Sequence, residues 1–445
     1  MKISQASNVL LLAGLANSCL LPEERAGGHI RRSLNRRQGN NGKAIGKGDR
    51  FNGGSSFPRG IGSGNATDLS TILNINEVTT GLQGLVNAYG IQTFVTPYKT
   101  YEGRTITGAK IGGSGTANTN YHVYLNGAIH ARERGSHDSV LYFISDLLYA
   151  QKHGTGLTYG KKSYTNADVT KALSTGIVVT PLINPDGVNY DQTSNSCWRK
   201  NRNPKSSRSG DPDTIGVDLN RNFDFAWDLK KWASSVASEV ASTDPSSEVF
   251  HGTAAFSEPE TQAVKYILDT YTKVRWFIDL HSYAGDVLYS WGSDTDQSTQ
   301  PYKNFLNSTY DSIRGITSDS TSSKYGEYIS SEDLNNVQTA GNRFGGVMST
   351  AAGRKYTVMQ SAYLYPTSGA SDDYAFSRHI ADPTKNKVYS YTVEFGFGNN
   401  QASCPFYPTD AQYTSNLQET NAGFSKSKQQ NTPYFLIQLC YRINR

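Results

Sequence analysis

Apolar strands and amphipathic helices alternate along the chain from about residue 68 onward. Tyr121–Asn126 alternates apolar and polar positions as a strand does, and Asp138–Gln151 repeats apolar residues at helical spacing. Ile177–Ile183, Val274–His281 and Tyr389–Phe395 are apolar runs typical of buried strands. This alternation predicts an α/β domain with helices on both faces of a β-sheet.

The N-terminal part of the chain has a different composition. Residues 1–19 resemble a secretory signal peptide, because Lys2 precedes a short apolar run and small residues follow; a frayed N-terminal helix is the alternative. Residues 20–67 are rich in Gly, Arg, Asn and Ser and predict a disordered basic pro-segment, since few apolar side chains are available for a core. No linker or repeat follows, so residues 68–445 are predicted to form one domain.

Charge and hydropathy limit the kinds of molecule that this protein is expected to bind. Residues 1–50 hold nine Lys/Arg and three acids, a net +6, so the rest of this +5 chain carries −1. A near-neutral body argues against a nucleic-acid partner. No internal stretch approaches the roughly 20 apolar residues that a membrane-spanning helix needs. We expect neither a nucleic-acid nor a membrane partner, and a monomer. Because of the signal-like N-terminus we expect a secreted, extracellular protein, with glycosylation acceptors at Asn65 and Asn307.

The chain contains four cysteines. Removal of a signal peptide would take Cys19 and leave three others: Cys197, Cys404 and Cys440. One disulfide and one free thiol is the simplest arrangement in an oxidising compartment, and the sequence does not say which cysteines pair. No Cys-x-x-Cys spacing occurs, which argues against a thiolate zinc site.

Candidate chemistry centres on two of the eight histidines. His130 and Glu133 are three residues apart after a predicted strand, and His281 ends another strand. Two histidines and a glutamate are a known catalytic zinc set with water in the fourth position. Each feature has an ordinary alternative: a charged helix surface for His130 and Glu133, a hydrogen-bonded core histidine for His281. Glu394, an acid within an apolar strand, could equally belong to a structural ion pair.

Nine segments, in this order and spacing, resemble the zinc carboxypeptidases of the pancreatic A/B type. They are Tyr101–Arg104, Gly127–Glu133, Asn184–Gly187, Trp198–Lys200, Gly216–Asn222, Phe256–Glu260, His281–Tyr283, Tyr365–Tyr374 and Glu394. The resemblance covers nearly everything after residue 68. It implies a single catalytic domain over residues 68–445, built on a mixed twisted β-sheet with helices on both faces.

The resemblance also implies one Zn²⁺ per chain, held by His130, Glu133 and His281. Asp218 would accept the other ring proton of His130 and so fix its tautomer. Zinc lowers the pKa of a bound water, which makes hydrolysis possible at neutral pH.

The remaining roles that the resemblance implies concern catalysis and the peptide substrate. Glu394 would act as general base and pass the proton to the leaving amine, and Arg199 would stabilise the developing oxyanion. The substrate-binding residues would be Asn220 and Arg221 at the terminal carboxylate, Tyr365 over the bound residue, Asp372 at the pocket floor, and Arg132, Ser282 and Tyr283 in the neighbouring subsites. Because Arg221 needs a carboxylate partner, the enzyme would act on the C-termini of peptides and proteins.

Specificity depends on Asp372. In the family pattern, B-type enzymes carry an acid at this place and A-type enzymes an apolar residue. An acid at the pocket floor favours C-terminal Lys or Arg. In the rival interpretation Asp372 turns away, Asp373 has a structural role, and Tyr and Gly nearby form a pocket for aromatic residues, which is A-type specificity.

Two features depart from the family pattern. The relatives resembled carry a folded inhibitory pro-domain, whereas residues 20–67 are short and read as disordered. Ser318–Ala352 reads as a Ser-, Gly- and Asn-rich loop that is hard to align. Three competing functions remain: an inactive pseudoenzyme, an enzyme for modified C-termini or cell-wall peptides, and an amino-acid deacylase. The first is disfavoured by the retained metal and base residues, and the others by the residues that imply a free carboxylate and a peptide.

Overall fold

The computed structural model describes residues 20, 21, 24, 39–64, 68–208, 210–317 and 325–425. The predicted signal peptide, Asn65 and Cys440 lie outside these residues. Within them the helices are α1 (Ile75–Tyr89), α2 (Ser136–His153), α3 (Asn166–Ser174), α4 (Pro185–Ser194), α5 (Ala237–Val240), α6 (Pro259–Thr270), α7 (Ser331–Ala352), α8 (Ser371–Ala381) and α9 (Asp410–Phe424). The strands are β1 (Gln92–Lys99), β2 (Thr105–Ile111), β3 (Val123–Gly127), β4 (Leu157–Tyr159), β5 (Lys162–Tyr164), β6 (Ile177–Thr180), β7 (Trp276–His281), β8 (Asp286–Tyr289), β9 (Asp296–Gln297), β10 (Glu327–Tyr328), β11 (Thr357–Gln360) and β12 (Tyr389–Glu394).

Eight of the strands form one mixed sheet in the order β1-β2-β6-β3-β7-β12-β8-β11. The four central strands, β6, β3, β7 and β12, run parallel. On one side β2 and β1 continue the sheet with antiparallel pairings, and on the other β8 is antiparallel to β12 and β11 parallel to β8. The central strands are buried along their whole length, as expected for strands covered on both faces. The predicted α/β class and its mixed sheet are confirmed.

Adjacent residues of β12 show that helices cover both faces of the sheet. Ser390 Oγ donates to the Asp372 carbonyl of α8 at 2.7 Å, whereas Tyr391 Oη donates to the Val337 carbonyl of α7 at 2.8 Å. Successive side chains of a strand point to opposite faces. Helices α7 and α8 therefore lie on opposite sides of the sheet.

Residues 331–352, predicted to be part of a loop, form the long helix α7. Ser330 caps its start, because Ser330 Oγ accepts a hydrogen bond from the Asp333 amide at 3.1 Å. Two of the three glycines in this helix, Gly341 and Gly345, face the sheet. A Cβ at Gly345 would come within 2.6 Å of Val358 Cγ2, so glycine permits the close approach of α7.

Residues 39–64, expected to be disordered, pack against the rest of the protein. Phe51 is 2% exposed and belongs to the main hydrophobic core. Arg50 Nε donates to Glu77 Oε1 of α1 at 2.7 Å, and Lys43 forms an ion pair with Asp410 of α9. The composition is too polar for a core of its own, but a single buried aromatic and two ion pairs attach the segment to the neighbouring helices.

A disulfide joins Cys197 to Cys404, which are separated by 207 residues in the sequence. It connects the loop before Arg199 to the segment that follows β12. Among the described residues, no helix has the length and apolar character needed to cross a bilayer.

Candidate functional site

The three predicted metal ligands lie together at one edge of the sheet. β3 ends at Gly127, three residues before His130, and β7 ends at His281 itself. The two strands are parallel neighbours, so their carboxyl ends meet at the same edge. Polar side chains that follow these ends are thereby brought within contact distance.

The geometry of this cluster suits one small cation. The potential ligand atoms of His130, Glu133 and His281 all lie within 4.8 Å of one another, and the three side chains are fully buried. His130 Nδ1 is 2.7 Å from Glu133 Oε1, and His281 Nδ1 is 3.1 Å from Glu133 Oε2. Burial opposes ionisation of Glu133, but the two imidazoles outweigh it and lower the pKa of that carboxyl.

Asp218 connects this cluster to Arg199. Its Oδ1 lies 3.0 Å from His130 Nε2, and its Oδ2 accepts from Arg199 Nη2 at 2.9 Å. Burial disfavours the charge of Asp218, yet Arg199 and His130 lower its pKa overall, so the carboxylate persists in the interior. Arg199 is thereby held beside the metal ligands.

Glu394 is the last residue of β12 and is paired in register with His281 of the parallel strand β7. It is buried, at 1% exposure. The register places its backbone next to that of a predicted ligand, at the same edge of the sheet. Glu394 therefore belongs to the same site as the metal cluster.

Asn220 and Arg221 lie in a single 3₁₀ turn, Leu219–Arg221, which Asp218 caps through the Asn220 amide at 3.0 Å. Arg221 Nε donates to the Val240 carbonyl at 2.9 Å and Nη1 to the Asn220 carbonyl at 2.7 Å. Arg221 Nη2 is buried and has no hydrogen-bond partner among the described residues. An unpaired buried guanidinium nitrogen is costly unless an anion binds there.

The start of α8 lies beside Asn220, because the Ser371 amide donates to Asn220 Oδ1 at 2.8 Å. The next residue, Asp372, is fully buried, and its Oδ2 accepts from Ser361 Oγ at 3.2 Å. Burial raises the pKa of the Asp372 carboxyl. Asp373 instead accepts from the Gly292 amide at 2.9 Å, which gives it a structural contact.

Part of the N-terminal segment contacts predicted substrate-binding residues. Both carboxylate oxygens of Glu24 accept from Arg132 at 2.7 Å, and Arg132 lies over the Phe406 ring at 4.3 Å. Leu21 is buried in an apolar cluster that includes Tyr283 and borders Tyr365. Glu24 of the leader thus contacts the predicted substrate-binding residue Arg132, and Leu21 belongs to the same apolar cluster as Tyr283.

Ser282 and Tyr365 complete the predicted set. The Ser282 amide donates to Glu133 Oε2 at 3.2 Å, which places the Ser282–Tyr283 segment directly beside the metal ligands. The Arg221 guanidinium lies 5.9 Å from the Tyr365 ring centroid. The predicted site residues are therefore connected, by contacts and by strand register, to the edge of the sheet where the His130–Glu133–His281 cluster lies.

One buried acid of the site was not predicted. Asp279 lies two residues before His281 in β7, and its Oδ2 is 3.4 Å from His281 Nε2. The apolar run Val274–His281 indicated a buried strand, and an isolated acid in it was given no role. The available clue was the i, i+2 spacing, which puts Asp279 and His281 on the same face of the strand.

The donor set of the cluster fits zinc. Two imidazole nitrogens and a carboxylate are ligands of catalytic zinc sites, and each imidazole has a carboxylate near its second nitrogen, as is common around such metals.

Comparisons of this chain with known proteins agree on one protein family. The family model described as zinc carboxypeptidase matches residues 80–423. Carboxypeptidase B of Helicoverpa zea is 32% identical over 210 residues, which are 46% of this chain and 42% of that protein. Carboxypeptidase B of Bos taurus is 30% identical over 299 residues, which are 66% of this chain and 55% of that protein. The chain spans about half the length of these curated relatives.

Solved structures share the fold. The carboxypeptidase A of Helicoverpa armigera aligns with a TM-score of 0.59 and 21% identity, covering 80% of this chain and 73% of that one. The thrombin-activatable fibrinolysis inhibitor aligns with a TM-score of 0.56 and 21% identity, covering 80% of this chain and 74% of that one. At this identity the likeness concerns the fold alone.

Proposed function

Because the chain belongs to the zinc carboxypeptidase family, we propose that it is a zinc-dependent exopeptidase that hydrolyses the C-terminal peptide bond of peptides and proteins. The observation that carries this proposal is the conjunction of two features in one cleft. A buried His130–Glu133–His281 cluster lies beside a buried arginine, Arg221, whose Nη2 is unpaired among the described residues.

The proposed roles follow from what each side chain can do. His130, Glu133 and His281 hold one zinc ion, which when bound supplies a water of lowered pKa. Glu394 accepts a proton from the attacking water and passes it to the leaving amine. Arg199 donates hydrogen bonds to the oxygen of the scissile carbonyl as negative charge develops on it.

Substrate selection for a free C-terminus rests on Asn220 and Arg221. A terminal carboxylate would satisfy Arg221 Nη2 and neutralise a charge that is otherwise buried. An internal peptide bond offers no such anion, so the desolvated cation would stay unpaired. This argument favours an exopeptidase that requires a free carboxylate, rather than an enzyme for amidated C-termini.

For the residue that is removed, we favour Lys and Arg. Asp372 is buried one residue after Ser371, which contacts Asn220 at the proposed carboxylate site. The hydrogen bond from Gly292 to Asp373 gives Asp373 the structural role, so the acid available to a basic side chain is Asp372. A-type specificity for aromatic or aliphatic residues is the alternative.

Secretion and latency belong to the same proposal. The Cys197–Cys404 disulfide suits an oxidising compartment, and Ser308 and Thr309 of the Asn307 acceptor sequence are exposed to a glycosylating enzyme. The contact of Glu24 with Arg132 supports a zymogen in which the leader blocks the cleft. We propose a secreted, monomeric glycoprotein that is activated by leader removal.

The test is release of C-terminal Arg and Phe from matched blocked dipeptides, with and without a zinc chelator, after leader removal. The expected result is chelator-sensitive release that favours Arg. The Glu394→Gln variant is the matched control: it should bind zinc normally and lose nearly all turnover. Preference for Phe would overturn the specificity, and no release by zinc-containing protein would favour an inactive pseudoenzyme or a modified substrate.

A further inference from the structure

The surroundings of His281 resemble those of His130, but its second ring nitrogen, Nε2, is buried, makes no hydrogen bond to the described residues and lies near a different acid. In His130, Nδ1 faces the metal cluster and Nε2 lies 3.0 Å from Asp218 Oδ1. In His281, Nδ1 faces the same cluster, 3.1 Å from Glu133 Oε2, and Nε2 lies 3.4 Å from Asp279 Oδ2. Both imidazoles thus present one nitrogen to the metal ligands and the other to a buried carboxylate.

Two hydrogen bonds fix the Asp279 carboxylate in this position. Asn126 Nδ2, on the neighbouring strand β3 and in register with Asp279, donates to Oδ1 at 2.8 Å. Ser371 Oγ, at the start of α8, donates to Oδ2 at 2.6 Å. Asp279 has no exposed surface, so its orientation is set by these two donors and by the strand.

From this arrangement we infer that Asp279 is a positioning residue for the metal site. It fixes which ring nitrogen of His281 carries the proton and thereby which nitrogen can bind zinc. A carboxylate can only accept from Nε2–H, so the Nδ1 lone pair stays directed at the cluster. The inference rests on the zinc site of the proposed function and adds a residue to it.

The connection through Ser371 extends the consequence to substrate binding. Ser371 contacts Asp279 through its hydroxyl and Asn220 through its amide. The carboxylate of Asp279 therefore contacts both the proposed metal ligand His281 and the N-terminus of α8. The Ser371→Ala variant removes one of the two donors that orient the Asp279 carboxylate but leaves the carboxylate itself in place.

The experiment measures zinc affinity of the full chain by competition with a chromogenic chelator, for wild type, Asp279→Asn and Ser371→Ala. In Asp279→Asn an amide replaces one acceptor oxygen and puts a donor opposite Nε2, so zinc affinity should fall about 10- to 100-fold. Ser371→Ala keeps the Asp279 carboxylate and loses one of its two donors, so its zinc affinity should fall less than that of Asp279→Asn. In the zinc-free state both variants lose a buried hydrogen bond, so both should unfold at lower urea concentration than wild type.

The outcomes separate the hypotheses. Wild-type affinity in Asp279→Asn, or an equal loss of affinity in Ser371→Ala, would overturn the role of Asp279. Failure of the wild-type chain to bind zinc would instead reject the proposed function itself. If Asp279→Asn does not fold, the ¹⁵N-histidine NMR spectrum of the zinc-loaded wild type decides: a hydrogen-bonded, downfield Nε2–H proton is expected for His281 as for His130, and its absence for His281 contradicts the inference.

Discussion

Arg221 is the residue whose hydrogen bonds bear most directly on substrate binding. Two of its nitrogens donate to backbone carbonyls, and the third, Nη2, has no partner among the described residues. The backbone contacts fix the direction of the guanidinium before any substrate arrives. Binding a carboxylate there therefore requires little reorganisation of the side chain.

Replacement of Arg221 by Lys should lower kcat/KM for substrates with a free C-terminus by about 100-fold, because the ammonium cannot keep both backbone contacts and the carboxylate contact. The measurement is kcat/KM on a peptide and on its C-terminally amidated counterpart. The wild type should discriminate strongly between the two, and Arg221→Lys weakly. A variant that keeps the wild-type discrimination would exclude Arg221 as the carboxylate ligand.

Asp372 allows a prediction of pH dependence. Burial raises the pKa of this carboxyl, so it becomes protonated at a higher pH than an exposed aspartate does. Pairing with a C-terminal Arg requires the ionised form. The ratio of kcat/KM for Arg to that for Phe should therefore fall as the pH is lowered, and the fall should begin at a higher pH than the protonation of an exposed aspartate would give.

The Asp372→Asn variant is the control for this pH profile. Its Arg-to-Phe ratio should be low and independent of pH, since no charge is left to titrate. A wild-type ratio that stays constant over the whole range would contradict the placement of Asp372 at the pocket floor.

At the scale of secondary-structure elements, the proposed site depends on parallel strands whose carboxyl ends lie at the same edge of the sheet. The sequence predicted β3 from alternating apolar and polar positions and β7 and β12 from apolar runs, and with them the positions of His130, His281 and Glu394 near strand ends. Asp279 was missed, because an apolar pattern describes which positions are buried and not what a buried acid contacts. The Cys197–Cys404 pairing was also inaccessible, since a bond between residues 207 apart depends on the tertiary fold.

The disulfide joins the loop before Arg199 to the segment that follows β12. Replacing both Cys197 and Cys404 by Ser should lower the free energy of unfolding by about 2 to 5 kcal/mol, because the cross-link restricts the unfolded chain. Urea unfolding of the zinc-loaded proteins measures the change. The Cys440→Ser variant serves as the control and should unfold as the wild type does. An equal midpoint for the double variant would argue against a stabilising bond.

At the scale of the whole molecule, the N-terminal segment is better described as two parts. Residues 39–64 pack on the main domain, whereas Leu21 and Glu24 contact the cleft. Composition predicted disorder for both, because a low apolar content excludes an independent core. It does not exclude attachment to a core that other residues provide, which is the case for Phe51.

The contact between Glu24 and Arg132 predicts that the protein binds substrate weakly while it carries the leader. In the leader-bearing protein, Glu24→Ala should lower KM by about 30-fold, because a buried ion pair that competes with substrate is lost; kcat should not change. The measurement is steady-state kinetics before leader removal. Glu332→Ala, at an exposed acid of α7, is the matched control. The same KM in Glu24→Ala and wild type would show that the leader does not obstruct substrate.

The register between β7 and β12 has a consequence for the timing of activity during biosynthesis. Glu394 faces His281 only in the observed pairing, and a slip of one residue would turn its side chain to the opposite face of the sheet. The two residues are distant in sequence, and β12 is made long after β7. A ribosome-bound or half-assembled chain therefore lacks the complete proposed site, so we expect the proposed activity to arise only when the last central strand has joined the sheet.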